Sequence, residues 1–259
     1  MAGTKINRDS EKTEPSFKSG GPEDKTGRKQ DFTQGNIVKQ IVAFTLPLIA
    51  SSLLQALYNM VDMVIAGRFA GPSAISAINN SSQILVIITK IAIGITTGGC
   101  VLIAQFYGGK EDRSREEAAG TLVSLSAVLG IAFSVILAAS SGGILRILQA
   151  PAYDEAVLYL RICSAGMFFV YIYNAFSSML RAVGDSRTPM RIVIATTILN
   201  AVLDLVFVAG FGMGVAGAAW ATVIAQVLSA LLSLAAIMKE KELIRFTREF
   251  LRIRMGMLK

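Results

Sequence analysis

The sequence predicts an all-α membrane protein in which six transmembrane helices form one lobe behind a disordered polar N-terminal tail. Its composition is 53% hydrophobic and only 17% charged, against roughly 45–50% and 25% in soluble domains. Six apolar stretches each approach or exceed the roughly 20 residues that cross a bilayer as a helix. Together these observations favour a bundle of membrane helices.

Residues 1–35 are rich in Lys, Glu, Asp, Ser, Gly and Thr and contain almost no large apolar side chains. Such a segment buries too little apolar surface to fold, so we expect a disordered cytoplasmic tail. It also lacks the apolar core of a signal peptide. The lobe is predicted over residues 36–240, with helices at about 41–66, 76–106, 118–140, 156–180, 191–210 and 216–238.

The first stretch carries polar residues at helical spacing. Gln55, Asn59 and Asp62 recur on one face of an otherwise apolar helix, and Pro47 lies near its start. An aspartate inside a span is costly, by about 2.5–3.5 kcal/mol on insertion scales, and usually faces a cavity or a partner. Solvation of Asp62 at an interface is the structural alternative. Proline removes a backbone hydrogen bond and makes a kink available.

The second stretch places Lys90, Gly94 and Gly98 on one face. Small residues at this spacing predict close helix approach. One interpretation is that Lys90 pairs with a nearby carboxylate; the alternatives are that it snorkels to an interface or faces a water-filled groove.

The loops between the later stretches indicate the orientation. Basic residues concentrate in the tails and in the connections after the second and fourth stretches. By the positive-inside rule, both termini are predicted to lie in the cytoplasm. The segment GFGMGVAG matches a dinucleotide-binding pattern but joins two membrane helices, so it is interpreted as a turn. Residues 241–259 are basic and amphipathic, as an interfacial helix would be.

The composition also narrows the chemistry. The chain contains no histidine, which removes a Ser-His-Asp triad and histidine proton relays. No nucleophile–base pair or metal-ligand cluster is apparent, so an enzyme is not expected. The net charge is +7, and the basic residues cluster in the tails and alternate loops. The positive-inside rule explains this distribution, so no nucleic-acid partner is predicted.

Four polar side chains from four helices fall at one depth. At about 1.5 Å per residue, Asp62, Asp204, Tyr159 and Thr222 lie about 6–9 Å below the same end of their helices. Asn200 lies one turn from Asp204, and Asn174 reaches a comparable inner depth. Buried polar groups need partners, so a shared polar cavity is predicted. Two carboxylates brought together there would favour holding a proton or a cation.

The series of motifs resembles the amino-terminal half of a MATE (multidrug and toxic compound extrusion) transporter. The matching residues are LP…YNMVD…AGRFAG, FYGG, LRAVGDSRTPM, N-x-x-x-D and GVAGAAWATVIAQ, over about residues 37–240. The resemblance implies an antiporter that expels organic, often cationic, small molecules in exchange for Na⁺ or H⁺. It implies a bending role for Pro47 and a prokaryotic plasma (inner) membrane location. The cation or proton site that it implies consists of Asp62, Asp204, Asn200, Asn174, Tyr159 and Thr222.

The resemblance implies no cofactor beyond the coupling ion, with Asp62, Asp204 and Asn200 as candidate Na⁺ ligands. Gln55, Asn59, Lys90 and Pro47 are predicted to line the cavity or to serve conformational change. Family members carry twelve spans in two lobes, so we expect a truncated product with residues 241–259 as the inter-lobe linker. A homodimer that imitates both lobes is the alternative. A flippase of lipid-linked precursors and a membrane subunit that transports nothing are the rival functions.

Overall fold

A computed structural model describes residues 37–239, and within them the chain forms six long helices and one π-helical segment. The predictions for the N-terminal tail and for the amphipathic segment 241–259 lie outside the described residues. The elements are α1 (Ile37–Phe69), α2 (Pro72–Gly108), α3 (Asp112–Ile147), α4 (Tyr153–Ala182), α5 (Arg187–Asp204), the π segment (Leu205–Gly210) and α6 (Gly214–Lys239).

All six predicted spans are confirmed as helices long and apolar enough to cross a membrane, with lengths of 24 to 37 residues when α5 and the π segment are taken together. A helix of 36 residues is about 54 Å long, whereas the hydrocarbon core of a bilayer is about 30 Å thick. The helices therefore extend past the apolar stretches that revealed them. Hydropathy marks the part of a helix that lies in hydrocarbon, while backbone hydrogen bonding continues into the headgroup region.

The lobe has two ends that the short connections define. The distal end contains the connections at residues 70–71, 148–152 and 211–213, and the proximal end contains those at 109–111 and 183–186. Apolar clusters stack between the two ends. Buried side chains such as Ala66, Leu145 and Val208 form the distal cluster, and Ile103 and Met179 belong to the proximal one.

Helix α4 is the centre of the lobe, because it packs against α2, α3 and α6. Small residues permit these contacts, as is usual where membrane helices pack closely. A Cβ atom on Gly130 of α3 would lie 3.1 Å from the Cα atom of Phe168 on α4. Helix α1 is the opposite case. Among its described side chains only Asp62, Ile65 and Ala66 are buried, all of them near its distal end.

The predicted close approach at Gly94 and Gly98 is wrong within the described lobe. A Cβ atom on either glycine would meet nothing within 4 Å, and Lys90 on the same face is exposed. The neighbouring Gly99 is the one in contact, because a Cβ there would lie 2.7 Å from the side chain of Leu122. The spacing identified a small-residue face, but the helix turns a different face toward α3.

The π segment directly after Asp204 is a feature that the sequence did not reveal. Here the backbone widens its turn, so that Phe211 N donates to Val206 O at 2.9 Å, five residues back. Gly217 on α6 lies against this segment, and a Cβ there would be 3.1 Å from the backbone of Phe207. The turn interpretation of GFGMGVAG agrees with the structure for residues 211–213, while Gly217 lies inside α6. π-helical turns occur frequently at functional sites.

Candidate functional site

Two aspartates, one from α1 and one from the end of α5, are buried together. Asp62 is 5% exposed and Asp204 is fully buried, and the charge of Asp62 acts on Asp204. Within residues 37–239, Oδ1 of Asp62 and both carboxylate oxygens of Asp204 have no hydrogen-bond partner. Burial of a charged group without compensation is strongly unfavourable. This pair is therefore suited to holding a positive species.

Helix α4 contributes to the same place through Tyr159 and Cys163. A side-chain hydrogen bond joins these two residues, and Cys163 lies within electrostatic range of both Asp62 and Asp204. Cys163 also donates to the carbonyl oxygen of Ala219 on α6, at 4.0 Å. The contacts connect α4 and α6 around the aspartate pair.

Asp62 lines a cleft of about 250 Å³. Tyr159 and Thr222 line it too, and both make further interactions in the structure. Asp62 is the only acidic residue in the lining described here, which contains no lysine or arginine. The lining residues are Gln55, Asp62, Ser82, Leu85, Val86, Thr89, Tyr159, Tyr173, Val193, Thr196, Thr197, Thr222, Ala225, Gln226 and Ser229.

Helix α5 presents a polar stripe beside this cleft. Thr196, Asn200 and Asp204 recur every four residues, which places them on one helix face. The Thr196 hydroxyl lines the cleft and donates to Ile192 O at 2.9 Å. Asn200 is 1% exposed, and neither atom of its amide group has a partner within the described part of the chain. The Asn200 amide oxygen therefore adds to the unpartnered carboxylate oxygens of Asp204 as a possible ligand for a cation.

The structure does not bring Asn174 to the same set. Its side chain is half-buried, donates from Nδ2 to Val170 O of its own helix at 2.8 Å, and does not line the cleft. The depth that the sequence predicted for Asn174 says nothing of the direction in which its side chain points.

The four residues predicted to line the cavity or to serve conformational change have different positions. Gln55 lines the cleft, whereas Lys90 is exposed on α2 and lies outside the lining. Pro47 lies inside an uninterrupted α1, where its carbonyl oxygen accepts a 2.8 Å hydrogen bond from Ser51 Oγ. The side chain of Asn59 is outside the described residues.

Gln226 is a cleft residue that the sequence reasoning missed. Its Oε1 atom is buried and lacks a hydrogen-bond partner among residues 37–239, and it occupies the space where Gly166 of α4 has no side chain, so that a Cβ on Gly166 would overlap it. Gln226 lies one turn from Thr222 on α6. That four-residue spacing is the signal that would have found it.

The chemistry of this set suits a hard cation or a proton. The unpartnered atoms are mainly carboxylate and amide oxygens, which are the ligands that hard cations prefer. In residues 37–239 no group of three or more His, Cys, Asp and Glu side chains is arranged so that it could hold a metal ion. A bound cation would therefore take further oxygens from amides and hydroxyls, which Asn200, Tyr159 and Thr222 could provide.

Six helices able to cross a membrane, five of which line the cleft, define an integral membrane protein with the architecture of a transporter. The MatE family model matches residues 47–206, and the chain belongs to this family, whose members are multidrug efflux transporters and not enzymes. The predicted resemblance is thereby confirmed.

Relatives and solved structures agree with this assignment. The chain is 33% identical over 213 residues to the probable multidrug resistance protein YpnP of Bacillus subtilis, covering 82% of this chain and 48% of that protein. It is similar to crystal structures of MATE in the bent and in the straight conformation, with TM-scores of 0.80 and 0.79 and 26% identity. Each similarity covers 86% of this chain and 50% of the solved one. The chain spans about half the length of the curated relatives it matches.

Proposed function

We propose that this lobe takes part in ion-coupled efflux of organic cations, with Asp62 and Asp204 as the site of the coupling Na⁺ or H⁺. The single observation that carries the proposal is the burial of these two carboxylates together, with three of their oxygens lacking a hydrogen-bond partner within the described residues. A transmembrane carboxylate in this state is expected to serve an ion or proton pathway.

The other residues have supporting roles in the proposal. Asn200 supplies an amide oxygen one turn from Asp204, and Tyr159 and Thr222 supply hydroxyl groups from the neighbouring helices. Asn174 contributes only if its side chain leaves the carbonyl of Val170, to which it is bonded at 2.8 Å. No further cofactor enters the mechanism.

Ion binding is coupled to shape through α1. A bound cation shifts a conformational equilibrium only if it binds one state more tightly than the other. Helix α1 carries one of the two carboxylates, and its described buried side chains all lie within one turn or so of that carboxylate. Pro47, nearer the proximal end, is available as a bend. The bent and straight conformations of solved relatives support a mechanism with two states of this kind.

The expected substrates are organic compounds with a positive charge. The cleft lining described above contains one acidic residue, Asp62, and no lysine or arginine. This charge distribution favours cations over anions. The name of the Bacillus subtilis relative supports a multidrug range of substrates.

The proposal also requires a partner that forms the other side of the transport path. A further lobe or a second copy of this chain would face the exposed sides of α1 and α2. We infer that the lobe resides in a prokaryotic plasma membrane with both termini in the cytoplasm. The basic residues in and beside the two proximal connections support this orientation, namely Lys110, Arg113, Arg115, Arg181, Arg187 and Arg191.

Efflux of ethidium from efflux-deficient bacteria that express the chain tests the proposal. Cells with the unaltered chain should accumulate less dye than cells with an empty vector, and Asp204→Asn should abolish the difference. Asp154→Asn is the matched control, because Asp154 is exposed in the first turn of α4 and the same chemical change there removes a solvated carboxylate.

Each outcome has a definite reading. Loss of efflux in Asp204→Asn alone supports the site. Unchanged efflux in Asp204→Asn would overturn the assignment of the site. Absence of efflux by the unaltered chain would favour the rival function, a membrane subunit that does not transport by itself.

A further inference from the structure

Two arginines lie near the distal ends of α3 and α4. Arg146 and Arg161 are both exposed. Arg161 is eight residues into α4, a helix long and apolar enough to cross a membrane, and so lies about 12 Å along it from the distal end. An arginine in such a span usually faces the bundle interior or a partner. Arg161 faces outward, so its partner is to be sought outside the lobe.

Contacts inside the lobe hold both guanidinium groups in place. Arg161 Nε donates to Ser141 Oγ on α3 at 3.1 Å. The guanidinium of Arg146 lies 6.0 Å from the ring centroid of Tyr153, a distance typical of a cation–π contact. Tyr153 in turn donates from its hydroxyl to the carbonyl oxygen of Gly142 at 3.2 Å. Because Gly142 directly follows Ser141, this chain of contacts joins the two arginines into one arginine patch.

The glycines at this position keep the patch open. A Cβ atom on Gly142 would lie 3.0 Å from the hydroxyl of Tyr153, and a Cβ on Gly143 would meet nothing within 4 Å. Side chains at these two positions would crowd the tyrosine or cover the surface beside it. The backbone therefore leaves room for an external group next to the guanidinium groups.

The charge of the patch is not neutralised within the lobe. Among residues 37–239 neither Arg146 nor Arg161 forms an ion pair with a carboxylate. The nearest acids in sequence are Asp154, which is exposed, and Glu155, whose Oε1 accepts from Ser73 on α2 at 3.3 Å. Neither carboxylate is paired with an arginine of the patch, so both guanidinium groups remain available to an external anion.

The depth of the patch matches the lipid headgroups. Helix α3 has 36 residues, so it is about 54 Å long and, if centred, projects about 12 Å past a hydrocarbon core of about 30 Å at each end. Ser141 lies six residues before the end of α3, which is about 9 Å. Arg161 itself lies about 12 Å from the distal end of α4, which has 30 residues and projects about 7 Å past the core if centred. The two estimates together place the guanidinium at the boundary between the core and the headgroups. Tyr153 is a residue type enriched at this interface.

We propose that the arginine patch binds the phosphate group of an anionic phospholipid, which lies between the distal ends of α3 and α4. Arg161 uses Nε to contact Ser141 and keeps its two terminal nitrogens for the phosphate oxygens, the geometry in which arginine binds phosphate best. Arg146 adds a second positive charge from above Tyr153. The site does not depend on the proposed transport function and is separate from the cleft.

Native mass spectrometry of the full chain in detergent tests the proposal, with phosphatidylglycerol and phosphatidylcholine of equal acyl chains as probes. The unaltered chain should retain one phosphatidylglycerol molecule more tightly than phosphatidylcholine. Arg161→Gln and Arg146→Gln should each weaken phosphatidylglycerol binding about fivefold, the effect of one basic residue near an anionic membrane surface. Arg113→Gln is the matched control, because this exposed arginine at the proximal end is already paired with Glu117 at 3.2 Å.

Further variants separate the specific site from a general charge effect and from misfolding. Arg161→Lys keeps the charge but not the planar fork and should weaken binding less than Arg161→Gln. The proposal is overturned if neither glutamine variant binds phosphatidylglycerol more weakly than Arg113→Gln does. It is also overturned if both lipids bind equally, or if millimolar inorganic phosphate displaces the lipid.

Discussion

The two ends of α5 carry buried aspartates in opposite situations. Asp185, just before the helix, is 2% exposed, and its Oδ1 accepts hydrogen bonds from the backbone nitrogens of Arg187 at 3.1 Å and Thr188 at 2.9 Å. Asp204, the last residue of the helix, is fully buried, and neither of its oxygens has a partner within the described chain.

The helix dipole acts on only one of these two aspartates. A negative charge is stabilised at the N-terminus of a helix, within its first turn. Asp185 has this advantage and also accepts two backbone hydrogen bonds at the start of α5, as an N-cap does. Asp204 has neither advantage, because the π segment continues the helical backbone six residues beyond it. The comparison teaches that burial alone does not identify a functional carboxylate, whereas burial without partners does.

The largest expected effect is the response of the Asp204 end to cations. A cation that binds only the folded lobe stabilises it by about 2.7 kcal/mol at 100 times its dissociation constant. The measurement is the difference in unfolding midpoint between NaCl and choline chloride of equal ionic strength, repeated between pH 5 and pH 8. This difference reports the stabilisation by Na⁺. Asp204→Asn should remove the response. Identical responses of the variant and the unaltered chain would show that Asp204 does not bind the cation.

The next effect concerns the Asp185 end. Asp185→Ala leaves two backbone N–H groups at the start of α5 without their acceptor and should destabilise the lobe by about 2 kcal/mol. Asp185→Asn should cost much less, because asparagine is as good an N-cap as aspartate. The difference in unfolding midpoint between the two variants is the measurement. Equal losses of stability in both variants would show that the charge of Asp185, and not its hydrogen bonds to the backbone, stabilises the start of α5.

A third prediction extends the comparison to Gln226, a second buried group without a partner. Gly166→Ala places a Cβ where Gln226 Oε1 lies, and because this atom ends a flexible side chain that can rotate, we expect a loss of about 1 kcal/mol, the low end of the range for overpacking. Gln226→Ala in the same chain should restore most of that loss, because the two sites share one space. A double-mutant cycle on unfolding midpoints gives the coupling. Additive losses would show that the pair does not compete for this space.

The smallest expected effect is at Thr196, between the two ends of α5. Its hydroxyl bonds only to carbonyl oxygens of its own helix in the hydrogen bonds described here, at 2.9 Å and 3.3 Å. Because those carbonyls keep their helical hydrogen bonds, Thr196→Val should change the free energy of unfolding by about 1 kcal/mol or less. A loss as large as that of Asp185→Ala would contradict the idea that intrahelical partners leave a hydroxyl dispensable.

Much of the site was predictable, because depth along a membrane helix follows from residue number. A constant rise of about 1.5 Å per residue placed four residues at one level. The structure puts Asp62, Tyr159 and Thr222 in the lining of one cleft, whereas Asp204 is buried outside that lining. The rotation of each helix about its axis was not predictable in the same way. The side chain of Asn174 bonds to Val170 of its own helix, and both Asn174 and Lys90 lie outside the cleft lining.

The sequence by itself determined the six membrane helices and the family, because hydrocarbon tolerates a crossing chain only when its backbone hydrogen bonds are satisfied internally. Apolar length and motif order are local properties that one chain displays directly. Only the tertiary structure decided that α2 turns Gly99 and not Gly98 toward α3, that the backbone widens after Asp204, and that Gly166 makes room for Gln226. These features depend on which surfaces meet, and the packing of side chains from distant parts of the chain determines them.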